Sequence, residues 1–157
     1  MRVFLLSLFP RALESYFATS MMKIAQERKI LELIIINIAD YSVRNTRRVD
    51  DRPYGGGAGT LLEAEPCARA IEQAQSLSLT PIHWIVTDPR GTPLIQQKFE
   101  QLSKEASIGI LCGHYEGIDE RVLEHFAISK IAIGPYIITG GELAAGIIID
   151  GVTRLLP

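Results

Sequence analysis

Apolar segments of strand length alternate along this chain with segments of helical periodicity, and this alternation restricts the possible folds more than any other feature. Continuous apolar runs are typical of strands that are covered on both faces, and they predict strands at 2–8, 31–38, 82–87, 108–112 and 128–133. Helical spacing predicts helices at 12–28, 66–76, 94–105 and 118–125, and from 142 to the end. The order predicts an α/β fold in which a parallel sheet is flanked by helices.

The size and charge of the chain favour an ordinary globular protein. A length of 157 residues fits one compact domain, 1–157, which can bury a sizeable core. The hydrophobic content of 47% leaves apolar surface available for a partner. The formal net charge of −2 is too small to attract a polyanion over the whole surface, so any basic site must be local.

The two cysteines and the apolar segments indicate where the protein works. Cys67 and Cys112 are far apart, and neither belongs to a C-x-x-C pair. A disulfide framework and a zinc site are therefore disfavoured, and a reducing cytoplasm is predicted. Residues 1–10 are typical of a strand rather than a signal peptide. The longest apolar stretches, 31–39 and 143–152, are shorter than the ~20 residues of a membrane span.

Three loops that follow predicted strands share an unusual composition. They read TDPRG (87–91), CGHYEGIDERV (112–122) and IGPYIITGGE (133–142). Ligands of open parallel sheets bind at the carboxyl ends of the strands, and glycine leaves the backbone open to read the edge of a heterocycle such as adenine. Any one such loop is more often only a turn. Neither a G-x-x-x-x-G-K-[ST] loop nor a G-x-G-x-x-G after the first strand is present, which disfavours phosphate-cradle and dinucleotide sites.

Four segments together carry a family resemblance. In chain order they are VDDRPYGGGAG (49–59), CGHYEGIDERV (112–122), GPYIITGGE (134–142) and IDGVTR (149–154). Over nearly the whole chain, the sequence closely resembles the bacterial tRNA (guanine-N1)-methyltransferases of the SPOUT family. The resemblance implies a C-terminal trefoil knot, a homodimer and S-adenosylmethionine held bent by the knot loops. It also implies a tRNA substrate that is methylated at the guanosine 3′ of the anticodon.

The same resemblance assigns residues to the site. The expected cofactor-binding residues are Thr87, Pro89, Gly91, Gly113, Tyr115, Glu116, Gly117, Ile133, Gly134, Tyr136, Ile138, Gly140 and Gly141. Among them, Tyr115, Ile133 and Ile138 are expected to hold the adenine. Tyr54, Gly55 and Gly59 are expected near the incoming base, in a segment whose completion by a second subunit the resemblance implies. Arg47 and Arg48 belong to a basic loop that is either simply solvated or in contact with tRNA phosphates.

The reaction itself demands two further groups. Guanine N1 carries a proton at neutral pH, so methyl transfer needs a base for that proton and a donor for the charge that develops on O6. The resemblance gives the O6 role to Arg154. It places Glu116 beside the cofactor, to hold the amino group of the methionine part or a magnesium ion associated with catalysis. A carboxylate that serves the start of the next helix is the alternative for Glu116.

Some features of the family pattern are changed in this sequence or lie outside it. The family's base is an aspartate that follows the arginine and leads into a helical, tRNA-binding C-terminal domain, both of which would come after Pro157. Pro135 stands where aspartate is usual, and His114 where arginine is common. We therefore expect the chain to bind S-adenosylmethionine and dimerise, but to methylate tRNA weakly or not at all. The alternatives are a non-catalytic SPOUT-like ligand or RNA-binding module, and a SPOUT enzyme with another RNA substrate.

Overall fold

Strands and helices alternate through the computed structural model, which describes residues 1–53 and 55–157. A five-stranded, wholly parallel sheet with the order β2-β1-β6-β5-β7 forms its centre, and β3 and β4 form a separate antiparallel pair. In chain order the elements are β1 (Arg2–Ser7), α1 (Glu14–Phe17), α2 (Ser20–Glu27), β2 (Glu32–Asn37), a 3₁₀ helix (Ile38–Tyr41), β3 (Asp50–Asp51), β4 (Leu61–Leu62), α3 (Ala64–Leu77), β5 (His83–Pro93), α4 (Gln96–Leu102), β6 (Ser107–Leu111), α5 (Glu120–His125), β7 (Ser129–Ala132) and α6 (Glu142–Thr153).

The sheet separates two apolar cores, because successive side chains of a strand point to opposite faces. On β1, Phe4 and Leu6 pack on the side of α3 and α5. Val3 and Leu5 pack on the other side, against α2 and α6. The predicted parallel sheet flanked by helices is thus confirmed. No helix in the described part of the chain combines the length and hydrophobicity that a bilayer crossing requires.

The single helix predicted at 12–28 is wrong, since two short helices occupy this segment. Thr19 is extended between α1 and α2, and Ser20 has a φ of 49°. The Thr19 hydroxyl donates to the carbonyl of Tyr16, which satisfies an acceptor at the end of α1. A side-chain hydrogen bond of this kind competes with helix continuation and is invisible to apolar periodicity.

Helix α3 begins two residues before Pro66, where the sequence had placed its start. Pro66 lies in the first turn of this helix, where its missing N–H removes no intrahelical bond. The strand predicted at 82–87 is too short, because β5 continues beyond an irregularity after Thr87 and ends at Pro93. The remaining predicted elements differ from the observed ones by a few residues at their ends.

The hairpin of β3 and β4 was not predicted, and it positions the glycine-rich stretch. Asp50 pairs with Leu62 and Asp51 with Leu61, so β3 and β4 are the two strands of a hairpin. The amide of Leu62 donates to the carbonyl of Gly117 at 2.9 Å, which attaches this hairpin to the loop after β6. The C-terminal trefoil knot is not decided by strand order, and it stays a prediction.

Candidate functional site

A cavity of about 250 Å³ lies at the carboxyl ends of β5, β6 and β7. It is enclosed by the three loops whose composition stood out in the sequence. The lining residues are 86–90, 113–118, 131–134 and 136–141, together with Leu123 and Ala144. All of the expected cofactor residues except Gly91 are among them. The structure therefore brings together residues that are more than fifty positions apart in the chain.

Gly141 is the point at which the three loops meet. Its amide donates to the carbonyl of Gly113 at 2.8 Å, which joins the loop before α6 to the loop after β6. A Cβ at this position would lie 2.5 Å from Thr87 Oγ1 and 2.8 Å from the Cα of Cys112. No larger residue fits without moving backbone, so glycine is required here by close packing.

Two buried polar atoms at the cavity have no hydrogen-bond partner among the described residues. They are the hydroxyl oxygen of Thr87 and Nδ1 of His114. Buried polar atoms are nearly always paired, and an unpaired one in a cavity is an available partner for a ligand. The cavity thus offers polar groups beside an otherwise apolar wall that includes Ile133 and Ile138.

Glu116 lies under the glycine-rich stretch. Its amide donates to the carbonyl of Thr60 at 3.0 Å. Gly59 has a φ of +78°, and a Cβ there would lie 2.8 Å from Glu116 Oε1. Gly55 faces open space, and Tyr54, the remaining residue expected near the base, lies outside the described residues. Within this stretch, Gly59 is therefore the residue that lies close to the Glu116 side chain.

Aromatic rings border the cavity on one side. The rings of Phe9 and His114 are 5.1 Å apart, and those of His114 and Tyr115 are 4.8 Å apart, both in edge-to-face geometry. Tyr115 has a φ of 59°, a conformation that bulky residues rarely adopt. Burial and the nearby Asp50 carboxylate raise the pKa of Tyr115. Its phenol is therefore neutral at physiological pH and can donate a hydrogen bond.

A wide bulge in β5 forms another wall, and it contains two residues that the sequence reasoning left without a role. Thr87 and Thr92 both pair with Ile131, so the residues between them project from the sheet. Asp88 accepts hydrogen bonds from the backbone amide and the guanidinium of Arg90, and the guanidinium holds the pKa of the Asp88 carboxyl below its usual range. An Asp two residues before its bonded amide is a turn signal that could have identified this bulge.

Gly91 belongs to the same bulge but does not line the cavity. A Cβ at Gly91 would lie 2.5 Å from the backbone nitrogen of Ile131. It allows the bulge to close against β7, so its contribution to the site is indirect.

Arg154 and Glu116, the two residues expected to act in catalysis, are not brought together within one chain. Arg154 follows the last residue of α6, whose first turn lies at the cavity. A helix of this length separates its two ends by about 18 Å. Within the described residues, the guanidinium of Arg154 has neither a hydrogen bond nor an ion pair.

The arginines of the basic loop have internal partners. Arg47 pairs with Asp40, and Arg48 with Asp50 at 3.1 Å. Arg44 bridges Asp51 of β3 and Glu63, the residue between β4 and α3. The side chains of Arg47 and Arg48 remain more than half exposed. Asp40 is also more than half exposed, and an exposed pair such as Arg47–Asp40 contributes little to stability, whereas the Asp50 side chain is only 15% exposed. A phosphate could therefore compete for them.

Metal and thiol chemistry have little support at this site. Across residues 1–53 and 55–157, no cluster of three or more His, Cys, Asp or Glu side chains has the arrangement of a metal site. Both cysteines are free and buried. Burial raises the pKa of Cys67 to about 12 and that of Cys112 well above its ordinary value, so neither thiol is a nucleophile at neutral pH.

Comparison with known proteins adds an independent line of evidence. The model of a family described as tRNA (Guanine-1)-methyltransferase TrmD matches residues 1–157. The chain is 40% identical to the tRNA (guanine-N(1)-)-methyltransferase of Alkaliphilus metalliredigens and 43% identical to that of Dehalococcoides mccartyi (strain CBDB1). Both alignments cover 100% of this chain but only 64% and 63% of those proteins. The chain therefore spans less than two thirds of the length of these relatives.

A solved structure supports the same grouping. The crystal structure of tRNA (m1G37) methyltransferase from Aquifex aeolicus superposes with a TM-score of 0.91 at 35% sequence identity. The superposition covers 100% of this chain and 70% of that one.

Proposed function

The chain belongs to the tRNA (guanine-1)-methyltransferase family, and from this premise we propose that it is the cofactor-binding, dimer-forming part of a tRNA methyltransferase. The reaction is transfer of a methyl group from S-adenosylmethionine to N1 of guanine, at the guanosine 3′ of the anticodon. The observation that carries the proposal is the cavity, which is built from the loops where the family resemblance places the cofactor.

The residues present fit the cofactor. The unpartnered Thr87 hydroxyl and His114 Nδ1 are available to its polar groups, and glycines leave backbone amides and carbonyls accessible to the adenine edge. We assign the contact with the adenine ring to Ile133, Ile138 and Tyr115. Pro135, which lacks an amide donor, is not among the lining residues, although its neighbours are.

The roles of the chain's own residues follow from the chemistry of guanine. When bound, S-adenosylmethionine supplies a methyl group on a positively charged sulfonium. Arg154 donates hydrogen bonds to O6 and stabilises the negative charge that develops there. Glu116 accepts from the amino group of the methionine part. We propose that the proton on N1 is removed by the family's base, which would follow Pro157. We assign no step to magnesium.

The exposed face of α6 supports a homodimer. Leu143 and Ile147 are 64% and 47% exposed and lie one turn apart on this face, which continues to Arg154. Met21 and Ile24 of α2 add exposed apolar surface. Large exposed apolar groups on neighbouring helices mark an interface. A second copy that covers this face also explains why Arg154 lies far from the cavity of its own chain, since it can serve the cavity of the other.

Calorimetric titration of the chain with S-adenosylmethionine, repeated with S-adenosylhomocysteine, tests the proposal. We expect about one molecule of either ligand per chain, because each chain contains a complete set of the three loops. A folded protein that binds neither ligand would contradict the cofactor assignment. Rapid methylation of tRNA by the 157-residue chain alone would contradict our placement of the base.

A further inference from the structure

A buried carboxylate stands at the start of α6 outside the roles assigned so far. Glu142 is 8% exposed, and its Oε1 accepts a hydrogen bond of 2.6 Å from the hydroxyl of Ser7. Ser7 is fully buried at the end of β1, 135 positions away. Apart from Asp150 and Thr153, the rest of α6 consists of aliphatic residues and glycine. A buried carboxylate is costly unless it is hydrogen-bonded, so this pair should have a specific use.

The Ser7 hydroxyl extends the connection to the loop after β1. It accepts a hydrogen bond of 2.8 Å from the backbone amide of Phe9 while it donates to Glu142. The end of β1, the turn that follows it and the first residue of α6 are thereby held in one chain of hydrogen bonds. The hydroxyl donates one hydrogen bond and accepts another, and the two together fix its orientation.

The other oxygen of Glu142 faces the glycines that close the cavity. A Cβ at Gly140 would lie 2.6 Å from Glu142 Oε2 and 3.1 Å from His114 Nδ1. Gly140 is therefore held between the carboxylate and the imidazole. The next residue, Gly141, is bonded to the carbonyl of Gly113. A movement of the Glu142 side chain would change the packing at Gly140 and, through the backbone, the position of Gly141.

We propose that the Ser7–Glu142 pair is a positioning device that fixes Gly140 and Gly141 where they close the cavity. Neither side chain lines the cavity, so both act through the glycine segment. The effect on cofactor binding rests on the function proposed above. The effect on the order of the glycine segment does not, and it can be measured without any ligand.

The test compares Ser7→Ala, Glu142→Ala and Glu142→Gln by amide hydrogen exchange at 140–141 and by titration with S-adenosylmethionine. The alanine variants should raise exchange at Gly141 about tenfold and weaken binding about tenfold, as expected when one buried hydrogen bond is lost. Glu142→Gln should retain nearly normal values, because its amide oxygen can still accept from Ser7. This rescue separates a positioning role from general loss of stability.

Thr153→Ala is the matched control. Thr153 is another buried polar residue of α6, but its hydroxyl donates to the carbonyl of Ile149 within the helix. Thr153→Ala should lower the melting temperature without changing amide exchange at Gly141 or the binding of S-adenosylmethionine. Faster exchange at Gly141 in Ser7→Ala and Glu142→Ala, with Glu142→Gln and Thr153→Ala near wild type, supports the positioning device. Wild-type exchange and binding in Ser7→Ala overturn it.

The two proposals fail in different ways. If the wild-type chain does not bind S-adenosylmethionine, the proposed function is wrong, and hydrogen exchange in Ser7→Ala still decides whether the pair orders the glycine segment. If the wild type binds but Ser7→Ala exchanges and binds normally, only the positioning device is wrong.

Discussion

At the scale of single residues, Gly59 is the position next to Glu116 where the structure has no room for a side chain. Gly59→Ala would introduce a Cβ at positive φ and within 2.8 Å of Glu116 Oε1. We expect the Glu116 side chain to be displaced and the affinity for S-adenosylmethionine to fall by about ten- to a hundredfold, which corresponds to the loss of one hydrogen bond to a charged group. Calorimetric titration measures this change.

Gly56→Ala is the matched control for Gly59→Ala. Gly56 has a φ of +88°, but a Cβ there has no neighbour within 4 Å. Gly56→Ala has the same strain of a Cβ at positive φ, but its Cβ does not collide with Glu116. It should therefore destabilise the loop and leave the binding of S-adenosylmethionine nearly unchanged. Equal affinities of the two variants would contradict the role given to close approach.

The basic loop gives a second prediction at this scale. Replacing Arg47 and Arg48 together by Ala should weaken tRNA binding and reduce its salt dependence, because two phosphate contacts are lost. Binding of S-adenosylmethionine should not change. Arg69→Ala removes an arginine of similar exposure that is paired with Glu65 on α3, and it controls for loss of charge alone. If the double variant and Arg69→Ala have the same affinity for tRNA, the proposed contact of Arg47 and Arg48 with phosphate is wrong.

Individual residues differ in how far sequence could predict their place. The loops around the cavity were found because glycine and proline cluster after predicted strands, and twelve of the expected cofactor residues do line the cavity. Gly91 does not, because the bulge that turns it toward β7 depends on pairing of Thr87 and Thr92 with the same residue. The separation of Arg154 from Glu116 follows from the length and direction of α6. The order of the motifs along the chain gives no information about this distance.

At the scale of elements, the bulge of β5 predicts a pH-dependent effect. Arg90 lowers the pKa of Asp88, so ionised Asp88 stabilises the folded state above its ordinary pKa near 4, and this stabilisation is lost as the pH falls through the lowered value. Asp88→Asn should therefore reduce stability at neutral pH, with a difference from wild type that shrinks in acid. Thermal unfolding between pH 3 and pH 7 measures it.

Asp119 has the same local arrangement but, unlike Asp88, does not line the cavity. It accepts from the amide and the guanidinium of Arg121, and that guanidinium likewise lowers its pKa. Asp119→Asn should show a similar pH dependence of stability, whereas only Asp88→Asn should weaken binding of S-adenosylmethionine. If both variants bind the cofactor equally well, the bulge is not part of the site.

The sequence predicted the elements that form because apolar residues are buried. It missed the elements that depend on particular hydrogen bonds. The parallel strands are continuous apolar runs because both of their faces are covered, and this pattern is readable in sequence. The break between α1 and α2 and the hairpin of β3 and β4 depend instead on hydrogen bonds of Thr19 and Leu62 to distant or local carbonyls. Short elements of this kind carry no hydrophobic period.

At the scale of the whole molecule, the exposed face of α6 predicts the oligomeric state. Ile147→Asp should convert the proposed dimer to a monomer, because a carboxylate in an apolar interface loses its hydration without a partner. Leu79→Asp is the control, since Leu79 is 93% exposed in the segment that precedes β5. Light scattering after size-exclusion chromatography distinguishes the two states. A dimeric Ile147→Asp, or a monomeric wild type, would contradict the interface.

The positions of Glu116 and Arg154 predict how catalysis is divided between two chains. A site that takes Glu116 from one chain and Arg154 from the other is intact once in a mixed dimer of Glu116→Ala and Arg154→Ala chains, and it is absent from either pure dimer. The assay uses chains extended by the portion of the Alkaliphilus metalliredigens relative that the alignment leaves uncovered, so that the family's base is supplied. The mixed dimer should recover about half of the wild-type N1-methylation of tRNA. A mixed dimer as inactive as its parents would place both residues in a site made by one chain, and the separation along α6 would then require a conformational change instead of a partner.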